Sequence, residues 1–199
     1  MEKPSLTLEK LQDRIISMEE ERWAVANALD VALKINDIRP DAAADDSVES
    51  ILSHCYNRTA KLIDLRGGAF YIFCGDDVEF KLTYADKPES AVLIEKELPA
   101  LIDDGTIAWV VQTERAITVR LSSGEDAFLH ALATPGRTMG VFFGILGDKK
   151  ENTLDISYAI LSIYFSQVGG VLQNRELFRM IRNENKNLSS AVSVLRQTE

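Results

Sequence analysis

The sequence predicts an α+β domain built on a central antiparallel sheet of five to six strands, flanked by helices and carrying long helices at both ends. Three observations carry that reading. Short β-branched and aromatic runs follow one another through tight turns, a spacing that joins strands antiparallel. Helical periodicity gathers at the two ends and in the middle of the chain instead of alternating with every strand. The proline-free run LDISYAILSIYFSQVGGVLQNRELFRMIRNENKNLSSAVSVLRQ is apolar almost all round from Ile156 to Leu172 and turns polar beyond that point.

Composition sets the outer bounds. The chain has 199 residues, 46% hydrophobic and 27% charged, enough for one domain with a core and helical extensions. A net charge of −9 and a pI near 4.8 disfavour nucleic acid and anionic membrane surfaces as partners. No apolar run reaches the length of a membrane span, and MEKPSLTLEK has no apolar signal core. Cys55 and Cys74 lack metal-knuckle spacing and read as two free thiols of a cytoplasmic protein.

The elements follow in order. Ser5 to Asn36 reads as one long helix after Pro4. Its residues Leu8, Leu11, Ile15 and Met18 alternate spacings of three and four, the seam of a coiled coil. Arg39-Pro40 stops that helix, and Asp46 or Ser47 caps the next, Val48 to Asp64, which Arg66-Gly67-Gly68 is expected to end. AFYIFCG and VEFKLTYA form a hairpin around Asp76-Asp77, with Val78, Phe80, Leu82 and Tyr84 alternating onto one face. Pro88 to Arg115 is helical or mixed and ends in a short helix after Asp103-Asp104-Gly105. ITVRL, FLHALATP and RTMGVFFGILGD are three further strands, the last with Gly140 and Gly144 inside it. Asn152, Thr153 and Asp155 offer caps for the final helix, roughly 60 Å long if unbroken. A helix of that length leaves a small domain, and Leu177, Ile181, Leu188 and Leu195 mark the side on which it would find a partner.

These residues resemble a family. AFYIFCGDDVEFKLTYA is similar to the first hairpin of GAF domains, small-molecule sensor modules of bacterial signalling proteins. Gly105 to Thr113 (GTIAWVVQT) with Ile117 resembles their glycine–tryptophan–threonine segment, and LATPGRTMGVFFGILG their strand pair with a proline at the turn. The final apolar helix resembles their closing helix, which becomes a signalling helix. The similarity covers roughly 23–178, which leaves 1–22 as a coiled-coil helix and 179–199 as a signalling helix. Ala108 and Ala116 stand where the family often has glycine and proline. The residue signatures of cyclic-nucleotide and chromophore binding are not recognisable. The resemblance implies a module that senses a small ligand; ligand and cofactor are both unknown. The final helix runs to Arg196-Gln197-Thr198-Glu199 without a stop signal, so these residues are expected to be the front end of a longer signalling protein.

Catalysis finds no support in the residues. Serine nucleophiles, phosphate loops and a metal-ligand set are all missing from the motifs. His54 and Cys55, adjacent on a helix, point about 100° apart. His130 reads as a buried, satisfied histidine, with a ligand contact as the alternative. For a binding cleft, Trp109 and Thr113 are four apart and are expected to face the sheet. Phe70, Ile72, Phe80 and Tyr84 would form the opposing wall, and Arg137, beside Gly136, is a candidate anion anchor. Two functions remain in view: a non-catalytic sensory or regulatory domain that dimerises through its terminal helices, or a small thiol-dependent reductase on the same fold. A ligand-free dimerisation module is a variant of the first.

Overall fold

The computed structural model describes residues 47–74, 79–147 and 155–197, together with positions 10, 12, 14–16, 18, 19, 22 and 26. Those N-terminal positions are helical and exposed, Ile15, Ile16 and Met18 among them. Leu8, Leu11, the Asp76-Asp77 turn and the expected caps Asn152 and Thr153 lie outside the described residues.

Helix α1 (Val48–Leu62) begins where the Ser47 side chain accepts the Ser50 amide, and it buries Ile51, Leu52, Cys55, Tyr56 and Thr59 along one stripe. Strands β1 (Leu65–Cys74) and β2 (Glu79–Ala85) follow, then helices α2 (Pro88–Asp103) and α3 (Thr106–Thr113). Strands β3 (Ile117–Arg120), β4 (Asp126–Thr134) and β5 (Arg137–Leu146) come next, and α4 (Asp155–Gln197) closes the chain. The five strands form one antiparallel sheet in the order β2-β1-β5-β4-β3. Among the described residues no helix is long and apolar enough to cross a membrane.

Two details of the β1–β2 hairpin depart from the sequence expectation. Arg66-Gly67-Gly68 does not end α1 but forms the start of β1, paired with β5 through Gly67↔Ile145 and Gly68↔Gly144. The simple alternation on β2 also fails. Phe70 pairs with Tyr84 but Tyr71 pairs with Leu82, so Thr83 is an extra residue on β2. A one-residue bulge reverses which side chains face which side. Phe80 and Leu82 therefore join one core and Tyr84 the other.

The sheet is covered on both sides, which explains the nearly continuous apolar runs of β4 and β5. On one face Phe70, Phe128, Leu132 and Phe142 meet Leu52 and Cys55 of α1 and Leu161, Tyr164, Phe165 and Val168 of α4. On the other, Ala69, Tyr71, Leu129, Val141 and Phe143 meet Ile94 and Leu101 of α2 and Ile107 and Val110 of α3. Aromatic rings tie the first layer together, with Phe70–Phe142 centroids 4.7 Å apart and Phe142–Phe165 5.2 Å.

Close approach decides two glycines. A Cβ on Gly140 would sit 2.2 Å from the Tyr71 carbonyl oxygen across the β1–β5 pair. A Cβ on Gly169 of α4 would stand 3.0 Å from the Ala133 backbone, so this helix lies almost directly on β4. Gly140→Ala should accordingly cost about 1–3 kcal/mol in urea unfolding, the usual penalty for forcing atoms into a filled site. Gly136→Ala, at a turn where an added Cβ meets nothing within 4 Å, should instead be neutral or stabilising by up to ~1 kcal/mol.

Candidate functional site

The residues expected to line one cleft are divided by the sheet. Phe70, Ile72, Tyr84 and His130 lie on the α1/α4 face. There Phe70 is fully buried, and Tyr84 packs at a tilt against Tyr56 and Phe70 with centroids 6.1 Å away in each case. Phe80 lies on the α2/α3 face against Phe73, 4.5 Å between centroids. The extra residue at Thr83 is what separates Phe80 from Tyr84.

Trp109 and Thr113 do not face the sheet. An eight-residue helix has one apolar side, and α3 turns Ile107 and Val110 inward. Trp109, one residue before Val110, is therefore left 54% exposed. The Thr113 hydroxyl donates to the Trp109 carbonyl at 2.8 Å. Arg137 is already engaged. Its guanidinium pairs with both carboxylate oxygens of Glu176 on α4, at 3.0 and 3.4 Å. The anion it holds is thus the chain's own, supplied from a distance in sequence that spacing arguments do not reach.

His130 is a satisfied core histidine. It is 2% exposed, with its ring 4.9 Å from that of Phe165 and 6.4 Å from that of Phe128. Nδ1 lies 2.7 Å from the Ala131 carbonyl, which can only accept, so Nδ1 carries the proton of the neutral ring. Nε2 lies 2.9 Å from the Ser162 hydroxyl of α4, whose single proton is shared between this nitrogen and the Tyr158 carbonyl at 3.0 Å. Burial pushes the His130 pKa down to about 4, against a smaller upward effect of the Ala131 carbonyl.

For His54 and Cys55 the helix geometry holds, while the side chain of Cys74 lies outside the described residues. His54 is exposed while its neighbour Cys55 is buried. Burial pushes the Cys55 thiol up to about 12, outweighing the downward effects of Tyr164, Thr59 and Arg58. A thiol held that high is protonated near neutral pH and is a poor nucleophile. Among the described residues no group of three or more His, Cys, Asp or Glu is arranged to hold a metal.

What remains is a polar atom that the sequence reading passed over. The hydroxyls of Tyr71 and Tyr164 are buried without a hydrogen-bond partner among the described residues. For Tyr164 the Cys55 thiol and Arg58 are near enough to interact with the hydroxyl, which leaves Tyr71 as the clearer case. Tyr71 stands on the α2/α3 face among Ile94, Leu82 and Phe143, and burial pushes its pKa up to about 12, helped by the charge of Glu95. Strand alternation carries the signal that would have found it, since Tyr71 must oppose Phe70 and Ile72 across β1. Nearby, the same helix pins the β3–β4 loop. The Glu97 carboxylate accepts the Ser122 amide and hydroxyl, bonds that hold its pKa below the usual carboxylate value. This face therefore has a rim braced by Glu97 and Ser122 and a buried phenol without a hydrogen-bond partner among the described residues.

Two measurements test this description. His130 binds its proton less readily folded than unfolded, so its contribution to stability is complete above the unfolded value of 6.5. It falls as pH drops toward about 4, a difference worth roughly 3 kcal/mol. Urea midpoints from pH 7.5 to 4 should show that fall, and His130→Gln should flatten the part of it that this ring causes. Tyr71→Phe removes an unpaired buried hydroxyl and should raise stability by about 1 kcal/mol. A loss of that size or more would mean that the hydroxyl is satisfied in the free protein.

No family model matches the sequence, and no curated protein matches it. Solved structures do match in fold. The GAF domain/HD domain protein of Geobacter sulfurreducens superposes with a TM-score of 0.55 at 16% identity, covering 68% of this chain and 99% of that one. The GAF domain of a protein assigned as a sensor histidine kinase, from Pseudomonas syringae pv. tomato, gives 0.54 at 10% identity and covers 86% and 99%. The GAF domain of the Acinetobacter phosphoenolpyruvate-protein phosphotransferase gives 0.51 at 14% identity and covers 77% and 94%. With one five-stranded antiparallel sheet, helices on both faces and a long closing helix, this chain has a GAF-like fold.

Proposed function

We propose that the chain is a non-catalytic sensory or regulatory domain that dimerises through its terminal helices. In this reading a small molecule bound in the domain, or altered packing there, shifts the helix pair between two arrangements and so biases an attached output. The observation that carries it is the division of α4. The helix is core as far as Leu172, then runs on to Gln197 with Leu177, Ile181 and Leu188 exposed at 45%, 57% and 63%. Large apolar side chains along one exposed helix are costly unless a partner covers them. Ile15 and Met18, each 56% exposed, give the N-terminal helix the same character. The solved GAF domain of the Pseudomonas protein, assigned as a sensor histidine kinase, supports the regulatory reading by analogy of fold.

The ligand would enter the α2/α3 face, where the Tyr71 hydroxyl, without a partner among the described residues, offers a buried polar anchor within an apolar wall of Phe80, Leu82 and Ile94. Such a wall suits a small, largely apolar molecule with one polar group. A thiol-dependent reductase would need a thiolate, and the burial of Cys55 works against one.

Light scattering over a dilution series tests the core of the proposal. The expected result is a dimer at micromolar concentration that Ile181→Glu with Leu188→Glu converts to monomer, while the melting temperature of the domain stays within a few degrees. A monomer at every concentration would sink the dimer. If no metabolite in a thermal-shift screen raises the melting temperature, the ligand half fails and a ligand-free dimerisation module remains.

A further inference from the structure

We infer that the polar group of the ligand is a protonated amine, held between the Tyr71 hydroxyl of β1 and the Glu95 carboxylate of α2. This rests on the ligand half of the reading above and adds the charge that the site selects. Tyr71 is 2% exposed, and its hydroxyl has no hydrogen-bond partner among the described residues. Its ring meets Phe143 edge-on, 5.5 Å between centroids, and it packs in the core that holds Ile94 of α2. Glu95 is the next residue on that helix and is exposed. Its charge helps burial to raise the Tyr71 pKa, so the carboxylate is close enough to act on the phenol.

Nothing in the chain compensates that carboxylate. The positions three and four away on α2 are Ala91, Val92, Leu98 and Pro99, so no cation of its own helix lies on its side. Lys96, the adjacent residue, points about 100° round the helix. Among the described residues Glu95 forms no ion pair. Strand alternation turns other cations away. Phe80 and Leu82 face α2, so Lys81 between them faces the α1/α4 side. Val119 likewise sends Arg120 outward, where it pairs with Asp126 at 2.9 Å. Arg115 stands beyond the C-cap of α3. The exposed positions of α2 carry Glu89, Glu95 and Asp103 against Lys96 alone, and Glu97 is turned inward onto Ser122.

The two anchors select between head groups. An ammonium only donates. It gives one charge-assisted bond to Glu95 and another to the phenol oxygen, while the apolar remainder lies against Phe80, Leu82 and Ile94. A carboxylate or phosphate brings a like charge to Glu95, and the single proton of the phenol does not offset that repulsion. A neutral alcohol satisfies the phenol and leaves Glu95 to water. The way in is between α2 and β2, because β2 is an edge strand on which Phe80 and Leu82 are only half-buried.

Two matched sets of probes test the charge on the full chain, by thermal shift and then by calorimetric titration. One set is 2-phenylethylamine, 2-phenylethanol and phenylacetate; the other is n-hexylamine, n-hexanol and hexanoate. Near neutral pH an amine should raise the melting temperature saturably. It should bind at least about tenfold more tightly than its alcohol, with the acid weakest. Tyr71→Phe and Glu95→Gln should each weaken the amine by about tenfold, whereas Glu49→Gln, exposed on α1 across the sheet, should leave it unchanged. Glu95→Lys should reverse the order and favour the acid. An alcohol or acid that binds as tightly as its amine, and is lost in Tyr71→Phe, would overturn the amine while the ligand site at Tyr71 stands. Amine binding that survives both Tyr71→Phe and Glu95→Gln would place the ammonium elsewhere and overturn the assignment. Silence from every probe would also overturn it, and the metabolite screen then decides separately whether any ligand binds.

Discussion

The contact between α4 and β4 governs the rest of the molecule. Gly169 lets the helix rest on the Ala133 backbone, and Phe165 fits among Phe128, His130 and Phe142 from the sheet. A helix held that closely, over several turns, has no freedom to choose its direction. The first half of α4 closes the core, and because the same rod continues to Gln197, the position of its tail is set by the packing of its head. An α-helix transmits tilt as a lever does. A change of ~5° at Gly169 would displace Leu188, about 28 Å further along, by roughly 2.5 Å. The Arg137–Glu176 pair sits near the place where the helix leaves the sheet. A partly exposed ion pair of this kind contributes little to stability, so it can re-form after a small shift without resisting it.

The two faces of the sheet differ in a way that suits such a lever. On the α1/α4 face the polar groups of His130 are engaged and rings fill the space between strand and helix. Close packing of this kind passes motion on instead of absorbing it, even with the Tyr164 hydroxyl buried within it. On the α2/α3 face the short helix α3 buries only Ile107 and Val110, Trp109 stands in solvent, and the Tyr71 hydroxyl is unpaired. Less burial distinguishes this face, and on the proposed reading a ligand that met the Tyr71 hydroxyl would gain free energy there. On the proposed reading, one face changes with the ligand, the sheet between them carries the change, and the other face turns it into movement of α4.

Much of this architecture was legible in the sequence because it follows from periodicity. Five strands, the helices at Val48 and Thr106, the satisfied state of His130 and the long final helix are all consequences of which positions are apolar. The candidate cleft was less legible, and the reason lies in single residues. Thr83 adds one residue to β2 and sends Tyr84 through to the face opposite Phe80. No local pattern announces a bulge, because the residue that causes it is an ordinary strand former. Trp109 looked like a wall residue since it is large and apolar. The helix, however, is short enough that Ile107 and Val110 suffice to seat it. Arg137 found its carboxylate 39 residues later, a pairing that only the fold can arrange.

The make-up of the α4 tail bears on control, on the proposed reading. Leu177, Ile181 and Leu188 stand exposed beyond Leu172, the last buried residue of the helix. Between Ile181 and Leu188 the chain reads Arg-Asn-Glu-Asn-Lys-Asn, so the apolar surface of the tail is broken and not continuous. A partner held by so few apolar side chains would be held weakly, and alternative arrangements would lie within reach of the few kcal/mol that a small ligand can supply.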